Sequence, residues 1–183
     1  MPAADDRRRK LTSWLLFGSL ALMVGSGVLM WLRFREPPER KELESYFRHT
    51  FPILHVRVRS IQAALVGLVA DDAPVPALAV EVLDENVLPS IADLLEDARA
   101  VSMTTLDGRA LHQGYLEALE GLESDAKELR RLYADPALTP GQARHDGQVR
   151  LKGSGARFDA FYARALELLK EAGIKAKLPA PSE

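Results

Sequence analysis

The sequence predicts an all-α protein in which a single amino-terminal transmembrane helix is followed by an antiparallel bundle of about four helices. Three observations predict this fold. The run from Leu11 to Leu32 contains no charged residue across twenty-two positions. From residue 41 to residue 173, apolar residues recur every three or four positions, as in amphipathic helices. Proline, glycine and capping residues divide that region into four segments, which must pack together because no single apolar stripe can be buried alone.

The uncharged run at residues 11–32 predicts a membrane anchor. A helix of this length spans about 33 Å, which is enough to cross a hydrocarbon core of roughly 30 Å. Trp14 and Trp31 lie near its two ends, where aromatic rings favour the headgroup level. A basic segment, 1–10, precedes it and a proline-containing linker, 33–40, follows it. We therefore expect the chain to contact the lipid bilayer through residues 11–32.

A cleaved secretory signal is the alternative interpretation of the same run. Its basic region would be Arg7 to Lys10, and its small-residue cleavage segment would be Gly25-Ser26-Gly27. Cleavage there would leave the apolar residues VLMWL at the new amino terminus, and no A-x-A pattern is present. We therefore favour a retained, single-pass anchor.

The charges around the anchor favour an amino terminus in the cytoplasm and a following domain outside it. Lys and Arg counts tie within about fifteen residues of each end, but Arg7 to Lys10 form a block next to the membrane. Within the run, Gly18, Ala21 and Gly25 fall on one helical face. Small residues let two membrane helices approach closely, so a homodimer through this face is one interpretation. Glycine and alanine are also common in membrane helices, so contact of this face with lipid alone is the alternative.

The first two bundle helices are predicted from apolar stripes that contain prolines. The stripe of the first helix, in residues 42–69, consists of Leu54, Val58, Ile61, Leu65 and Leu68. The stripe of the second helix, in residues 76–101, consists of Val87, Ile91, Leu94, Ala98 and Val101. Pro52 is expected to start a new segment or to kink the first helix, and Pro89 to kink or break the second near Asn86.

The third and fourth helices have recognisable caps. Thr104 or Thr105 is expected to cap the third, and Thr139 followed by Pro140 the fourth. The apolar face of the third helix consists of Leu111, Tyr115, Ala118, Leu122, Ala126, Leu129 and Tyr133. That of the fourth consists of Phe158, Phe161, Tyr162, Ala165, Leu168 and Leu169. Four glycines are expected to loosen its first half: Gly141, Gly147, Gly153 and Gly155. Gly173 is expected to end the domain, 41–173, before an irregular tail at 174–183.

The composition excludes several kinds of site. Lys and Arg number 24 against 26 Asp and Glu, a net charge of −2. That balance argues against nucleic-acid binding, which needs a clear basic excess on one face. The chain has no cysteine. Disulfides, thiolate metal sites and cysteine nucleophiles are therefore excluded.

The histidines and carboxylates form no recognisable motif. His49 and His55 do not converge on a helix, and neither an HExxH nor a Glu-x-x-His motif is present. All four histidines are therefore expected at the surface or at its boundary: His49, His55, His112 and His145. Two carboxylate clusters are expected on solvated faces: Glu81, Asp84 and Glu85, and Asp93, Glu96 and Asp97.

The remaining candidate groups also lack the context that chemistry requires. No serine lies in a nucleophile motif, and Lys152 beside Gly153-Ser154-Gly155 lacks the order of a phosphate-binding loop. The aromatic residues are expected in the core: Tyr46, Phe47, Phe51, Tyr133, Phe158, Phe161 and Tyr162. The sequence therefore predicts no catalytic, cofactor-binding or metal-binding residue, and no cofactor.

These features predict a membrane-anchored, non-enzymatic helical protein that interacts with other proteins at the cell envelope. A membrane-tethered domain that binds a small ligand is the alternative. A filled core with an exposed apolar surface would favour the first function. A large apolar cavity ringed by a few polar groups would favour the second.

Overall fold

A computed structural model of the chain describes residues 37–70, 73–175 and 178. All regular structure in these residues is helical and they contain no strand, which confirms the all-α class. The predicted basic segment 1–10 and anchor 11–32 lie outside the described residues, as does the face formed by Gly18, Ala21 and Gly25.

The first helix, α1, runs from Pro38 to Val69. It consists of an α-helical segment Pro38–Ser45, a π-helical segment Tyr46–Thr50 and a longer α-helical segment Phe51–Val69. It begins inside the range 33–40, so the last part of the predicted linker is helical. All five residues of its predicted stripe are buried: Leu54, Val58, Ile61, Leu65 and Leu68.

The second helix, α2, is built in the same way over residues 76–100. Its segments are Pro76–Val82, a π-helical Leu83–Val87 and an α-helical Leu88–Ala100. Its apolar face packs as predicted, with four residues buried: Val87, Ile91, Leu94 and Ala98. Val101 lies just beyond the end of the helix and is half-buried.

Each π-helical segment ends two residues before a proline. The backbone N–H of Phe51 bonds to the Tyr46 carbonyl and that of Leu88 to the Leu83 carbonyl, five residues back in each case. Proline lacks an N–H and its ring clashes with the carbonyl four residues earlier, so the wider π turn accommodates it. Pro52 and Pro89 therefore lie within continuous helices. The break near Asn86, which the sequence offers as an alternative to a kink, does not occur.

The third helix, α3, runs from Leu106 to Ala134 and is capped by Thr105. The Gly108 N–H donates to Oγ1 of Thr105 at 3.1 Å, which satisfies one of the unpaired donors of the first turn. All seven residues of its predicted face are buried: Leu111, Tyr115, Ala118, Leu122, Ala126, Leu129 and Tyr133.

The fourth helix, α4, runs from Pro140 to Glu171 and begins with a capping box formed by Thr139 and Gln142. Its end is also as predicted, because Gly173 adopts a left-handed conformation with φ of 66°. The Ile174 N–H then donates to the Leu169 carbonyl at 2.8 Å, which closes a Schellman motif. Residues 174, 175 and 178 have no regular structure.

The first half of α4 is a continuous helix in spite of its four glycines. A Cβ at Gly141, Gly153 or Gly155 would meet no atom within 4 Å. A Cβ at Gly147 would lie 2.6 Å from Cδ1 of Leu129 and 2.9 Å from Cγ1 of Val69. The glycine-rich half is therefore packed closely against α1 and α3, and Gly147 is the residue that permits the approach.

Hydrogen bonds and ion pairs fix which ends of the helices meet. The hydroxyl of Tyr133 donates to the Leu68 carbonyl, so the carboxyl ends of α1 and α3 lie together. Asp84, early in α2, pairs with Arg130, late in α3, at 2.5 Å. Gln148, early in α4, donates to the Val69 carbonyl at the end of α1 at 2.8 Å.

One described helix, α1, is long and apolar enough to cross a membrane by length and composition alone. Core helices of soluble proteins also meet this criterion, and α1 places its inner residues among the other helices. The inner face of α1 therefore contacts the other helices, whereas its outer face does not.

Candidate interaction surface

The outer face of α1 carries an uncharged strip that faces solvent. Its residues recur at intervals of three and four and are all exposed: Ile53, Val56, Ser60, Ala63 and Gly67. Ile53 and Val56 are 65% and 67% exposed, although isoleucine and valine are among the residues most often buried. We call these five residues the outer strip. Their spacing is the one that helices use when they pack along each other.

The carboxyl-terminal part of the outer strip is built from small residues. Ser60, Ala63 and Gly67 carry little or no side chain, and a Cβ at Gly67 would meet nothing within 4 Å. Small residues allow the backbone of a second helix to come close, whereas Ile53 and Val56 offer apolar contacts. The strip thus combines two apolar side chains with a segment of small residues.

The charges that α1 itself carries beside the outer strip are positive. Between Thr50 and Ala70, the charged residues of α1 are Arg57 and Arg59. At 100° per residue they lie roughly 80° to either side of the strip. Arg57 pairs with Asp97 of α2. No described carboxylate forms an ion pair with Arg59.

The inner face of α1 is held by a cluster of aromatic rings. The ring centroid of Phe51 lies between 5.3 and 6.1 Å from those of Tyr46, Phe47, His55, Tyr115, Phe161 and Tyr162. Aromatic contacts at these separations add to the free energy gained by burial. This cluster includes most of the aromatic residues that the sequence places in the core.

Two histidines are buried in this cluster, so the expectation that all four lie at the surface is wrong for His55 and His112. Nδ1 of His55 lies 2.6 Å from the hydroxyl of Tyr162. Nδ1 of His112 lies 3.3 Å from the hydroxyl of Tyr46, and its Nε2 lies 2.8 Å from the Ala98 carbonyl. His49 and His145 are exposed, as expected.

Burial changes the titration of several groups in the cluster. It lowers the pKa of His55, because the protonated ring is poorly solvated, and the charge of Arg59 lowers that pKa further. Burial likewise raises the pKa of Tyr162 to about 12 and that of Tyr115 further. The Tyr115 hydroxyl has no hydrogen-bond partner in the described part of the chain.

Glu42, near the start of α1, caps the amino terminus of α3. Its carboxylate accepts hydrogen bonds from the backbone N–H groups of Thr104 and Thr105, at 2.5 and 3.0 Å, and from both hydroxyls. Burial alone would raise its pKa, but these bonds outweigh burial and hold the pKa at about 2. No local sequence pattern identifies Glu42 as a cap, because its partners lie more than sixty residues away.

The carboxylate clusters considered in the sequence lie at the surface of α2. All six residues are exposed: Glu81, Asp84, Glu85, Asp93, Glu96 and Asp97. Asp84 pairs with Arg130, and Asp97 pairs with Arg57. Within residues 37–70, 73–175 and 178, no three His, Asp or Glu side chains come together in an arrangement that could hold a metal ion.

A buried carboxylate that sequence reasoning did not identify lies between α3 and α4. Asp125 is 3% exposed and pairs with Arg157, while Arg150 lies 3.9 Å away. Burial raises the pKa of Asp125 in spite of both guanidinium groups. This group is a structural ion pair that joins two helices, since Arg157 also donates to the Gly121 carbonyl at 3.1 Å.

Comparisons of the chain with protein-family models, with curated proteins and with solved structures gave no match.

Proposed function

We propose that the chain is a membrane-anchored, non-enzymatic helical module that binds another protein at the cell envelope through the outer strip of α1. The observation that carries this proposal is the contrast between the two faces of α1. The inner face is buried against three helices, whereas the outer strip is uncharged, largely apolar and exposed to solvent. Exposed apolar surfaces on otherwise well-packed domains commonly mark interaction sites.

The proposed architecture is an antiparallel bundle of four helices tethered by a single membrane helix at residues 11–32. The meeting of helix ends described above supports the bundle, since neighbouring helices join through short connections. The uncharged run, its tryptophans and its basic flank support a retained anchor with the domain outside the cytoplasm. The anchor would then hold the outer strip close to other envelope proteins.

The partner that fits the outer strip is an amphipathic helix with acidic residues beside its apolar stripe. The three-four spacing of Ile53, Val56 and Ser60 suits helix–helix contact. Arg59, which forms no ion pair with a described carboxylate, favours a partner of opposite charge, whereas the charge of Arg57 is already offset by Asp97. Two copies of α1 facing each other would bring these arginines together, so the charge pattern favours a different protein over a second copy.

Recovery of the full-length chain in mild detergent tests the proposal. We expect a reproducible partner to co-purify with the natural sequence and with Val149→Glu, and to be lost with Val56→Glu. The two valines form a matched pair, because each is on an exposed helical face, with 67% exposure at Val56 and 58% at Val149. A charge at either position should leave the fold intact. A difference in partner recovery between the two variants therefore shows that the partner binds at the outer strip.

Recovery of the natural chain alone, with no co-purifying protein, would contradict the proposal. Equal loss or equal retention of the partner with both variants would contradict the assignment to the outer strip. A domain that binds a small ligand is a second candidate function. A cleft of about 310 Å³ between α1 and α4, with a largely apolar lining, favours it.

A further inference from the structure

A groove of about 550 Å³ opens at the end of the bundle where α1 begins and α4 ends. One wall is formed by the first turns of α1, and the other by the chain that follows α4, from Gly173 to Lys175. Its lining includes three basic side chains and one carboxylate: Arg40, Arg48, Lys175 and Glu44. The groove shares no residue with the outer strip or with the cleft between α1 and α4. It is therefore a separate surface with a basic lining.

Two of the three basic side chains in the groove have no partner in the described part of the chain. Glu44 pairs with Arg48 at 2.6 Å, so these two charges offset each other. The side chains of Arg40 and Lys175 form no ion pair and no hydrogen bond with a described residue. Three positive charges against one negative charge leave the lining with two unpaired cations. Cations that face one groove repel each other, and a bound anion would relieve this repulsion.

Arg40 presents its terminal nitrogens to the groove. Its Nε is buried without a hydrogen-bond partner, so part of the guanidinium is already removed from water. Its two Nη atoms also lack a partner among the described residues, but they are not buried. An unpaired, partly desolvated charge destabilises the folded state, and an anion bound at the Nη atoms would offset that cost. Phosphate suits this position, because the planar donors of arginine match two phosphate oxygens.

The groove is close along the chain to the predicted anchor. Arg40 follows Leu32, the last residue of the uncharged run, by eight positions. Eight residues span at most about 29 Å, even when the chain is fully extended. An anchor in the bilayer would therefore keep the groove within reach of the lipid headgroups, where phosphate groups are present at high local concentration.

We propose that this groove binds the phosphate of an anionic lipid headgroup. The Nη atoms of Arg40 and Nζ of Lys175 donate hydrogen bonds to the phosphate oxygens. Their two charges favour a headgroup that is negative overall to one that is zwitterionic. The inference rests on the proposed anchor. It does not depend on the proposed protein interaction, which concerns a different surface.

Isoleucine methyl groups report binding in the groove. The structure describes all four isoleucines of the chain, and Ile174 alone lines the groove. The full-length chain is placed in phosphatidylcholine nanodiscs that contain an increasing fraction of phosphatidylglycerol. We expect the Ile174 methyl signal to shift and saturate, whereas the signals of Ile53, Ile61 and Ile91 stay in place. No shift at Ile174, or equal shifts at all four residues, would overturn the proposal.

Two pairs of substitutions distinguish the groove from general surface charge. Arg40→Gln with Lys175→Gln removes two positive charges from the lining. Lys41→Gln with Lys170→Gln removes two from exposed positions outside it and is the control. The first pair should raise the phosphatidylglycerol fraction that gives a half-maximal Ile174 shift at least about fivefold, and the control pair less than about twofold. Equal effects would show that net charge alone attracts the lipid, which would overturn the assignment to the groove.

The unshifted isoleucines also check the fold of these variants. Signals of Ile53, Ile61 and Ile91 at their natural positions show that each variant is folded. A full-length chain that does not enter nanodiscs would contradict the anchor, whereas a chain that enters them with an unresponsive Ile174 would contradict the groove alone.

Inorganic phosphate distinguishes a lipid from a free anion. In nanodiscs of phosphatidylcholine alone, we expect millimolar inorganic phosphate to shift Ile174 far less than phosphatidylglycerol does. A saturable shift with inorganic phosphate and none with phosphatidylglycerol would identify a free phosphate as the ligand and overturn the lipid assignment. An unresponsive Ile174, together with loss of a co-purifying protein in Arg40→Gln with Lys175→Gln, would assign the groove to an acidic protein instead.

Discussion

Nδ1 of His55 lies 2.6 Å from the hydroxyl of Tyr162, and the two residues are 107 positions apart in the sequence. This bond joins α1 to α4 inside the aromatic cluster, where the ring centroids of both residues lie within 6.1 Å of that of Phe51. It fixes the rotation of α1 about its axis. As a consequence, Ile53 and Val56 point outward as parts of the outer strip.

The buried imidazole of His55 should make the domain sensitive to mild acid. Its pKa in the folded state is below the ordinary 6.5, so the unfolded chain binds a proton more readily. The contribution of His55 to the free energy of unfolding is then complete above about pH 6.5 and declines as the pH falls below that value. Urea unfolding between pH 8 and 5 should show this decline in the natural chain.

His55→Gln keeps a hydrogen-bonding group near Tyr162 but removes the titration, so it should reduce the pH dependence. His49→Gln is the control, because His49 is exposed. If His49→Gln reduces the pH dependence of stability as much as His55→Gln does, burial of His55 is not the cause of that dependence.

The carboxylate of Glu42 should stabilise the junction of α1 and α3 only while it is ionised. Its pKa is held at about 2 against an ordinary value of 4.5, so its contribution is complete above pH 4.5 and is lost as the pH falls toward 2. Glu42→Gln should lower the free energy of unfolding at pH 7 by about 1 kcal/mol, the order of a lost helix cap. It should also reduce the pH dependence below pH 4.5.

Glu39→Gln removes a carboxylate from the first turn of the same helix and serves as the control. Urea unfolding of both variants at pH 7 and pH 3 gives the comparison. The account of Glu42 would be wrong if both substitutions changed stability to the same extent.

Alanine at two glycines of α4 should have opposite effects. Gly147→Ala places a methyl group against Leu129 and Val69, so overpacking should destabilise the domain by about 1–3 kcal/mol. Gly153→Ala meets no neighbour and should stabilise the helix by up to about 1 kcal/mol. Thermal unfolding by circular dichroism measures both. Destabilisation by Gly153→Ala would contradict the expected gain in helix stability and would indicate a further role for Gly153.

The helices themselves follow closely from the sequence. In α3, all seven residues of the predicted stripe are buried, and Thr105 and Thr139 cap α3 and α4 as expected. Periodicity and capping are local signals, so a single sequence contains them. The π-helical segments before Pro52 and Pro89 were not predicted, because a proline alone does not distinguish a kink from a widened turn.

The long-range contacts could not be predicted from local patterns. His55 and His112 are buried because Tyr162 and Tyr46 reach them from other helices, and no spacing within α1 or α3 indicates those partners. The outer strip was also missed, although its signal is present. The inner face of α1 carries a strongly apolar stripe, which consists mainly of leucine and isoleucine. The outer strip is less apolar because it includes Ser60 and Gly67, so it is harder to recognise beside the inner stripe.

The anchor is tested by extraction. The full-length chain should stay in the membrane pellet after an alkaline carbonate wash, because residues 11–32 carry no charge and can span the bilayer. A chain that begins at residue 33 should be released as a folded, soluble domain. Release of the full-length chain, or a mature amino terminus near Val28, would contradict a retained anchor.

Cysteine accessibility tests the central claim, that the outer strip of α1 is covered by a partner protein. The chain has no cysteine, so a single cysteine at Ser60 or at Val149 is labelled without background. Both should react rapidly with a polar maleimide in the purified chain, because both positions are exposed. In opened native membranes, Ser60→Cys should be protected several-fold while Val149→Cys reacts as before. Equal labelling of the two cysteines in native membranes would contradict the account.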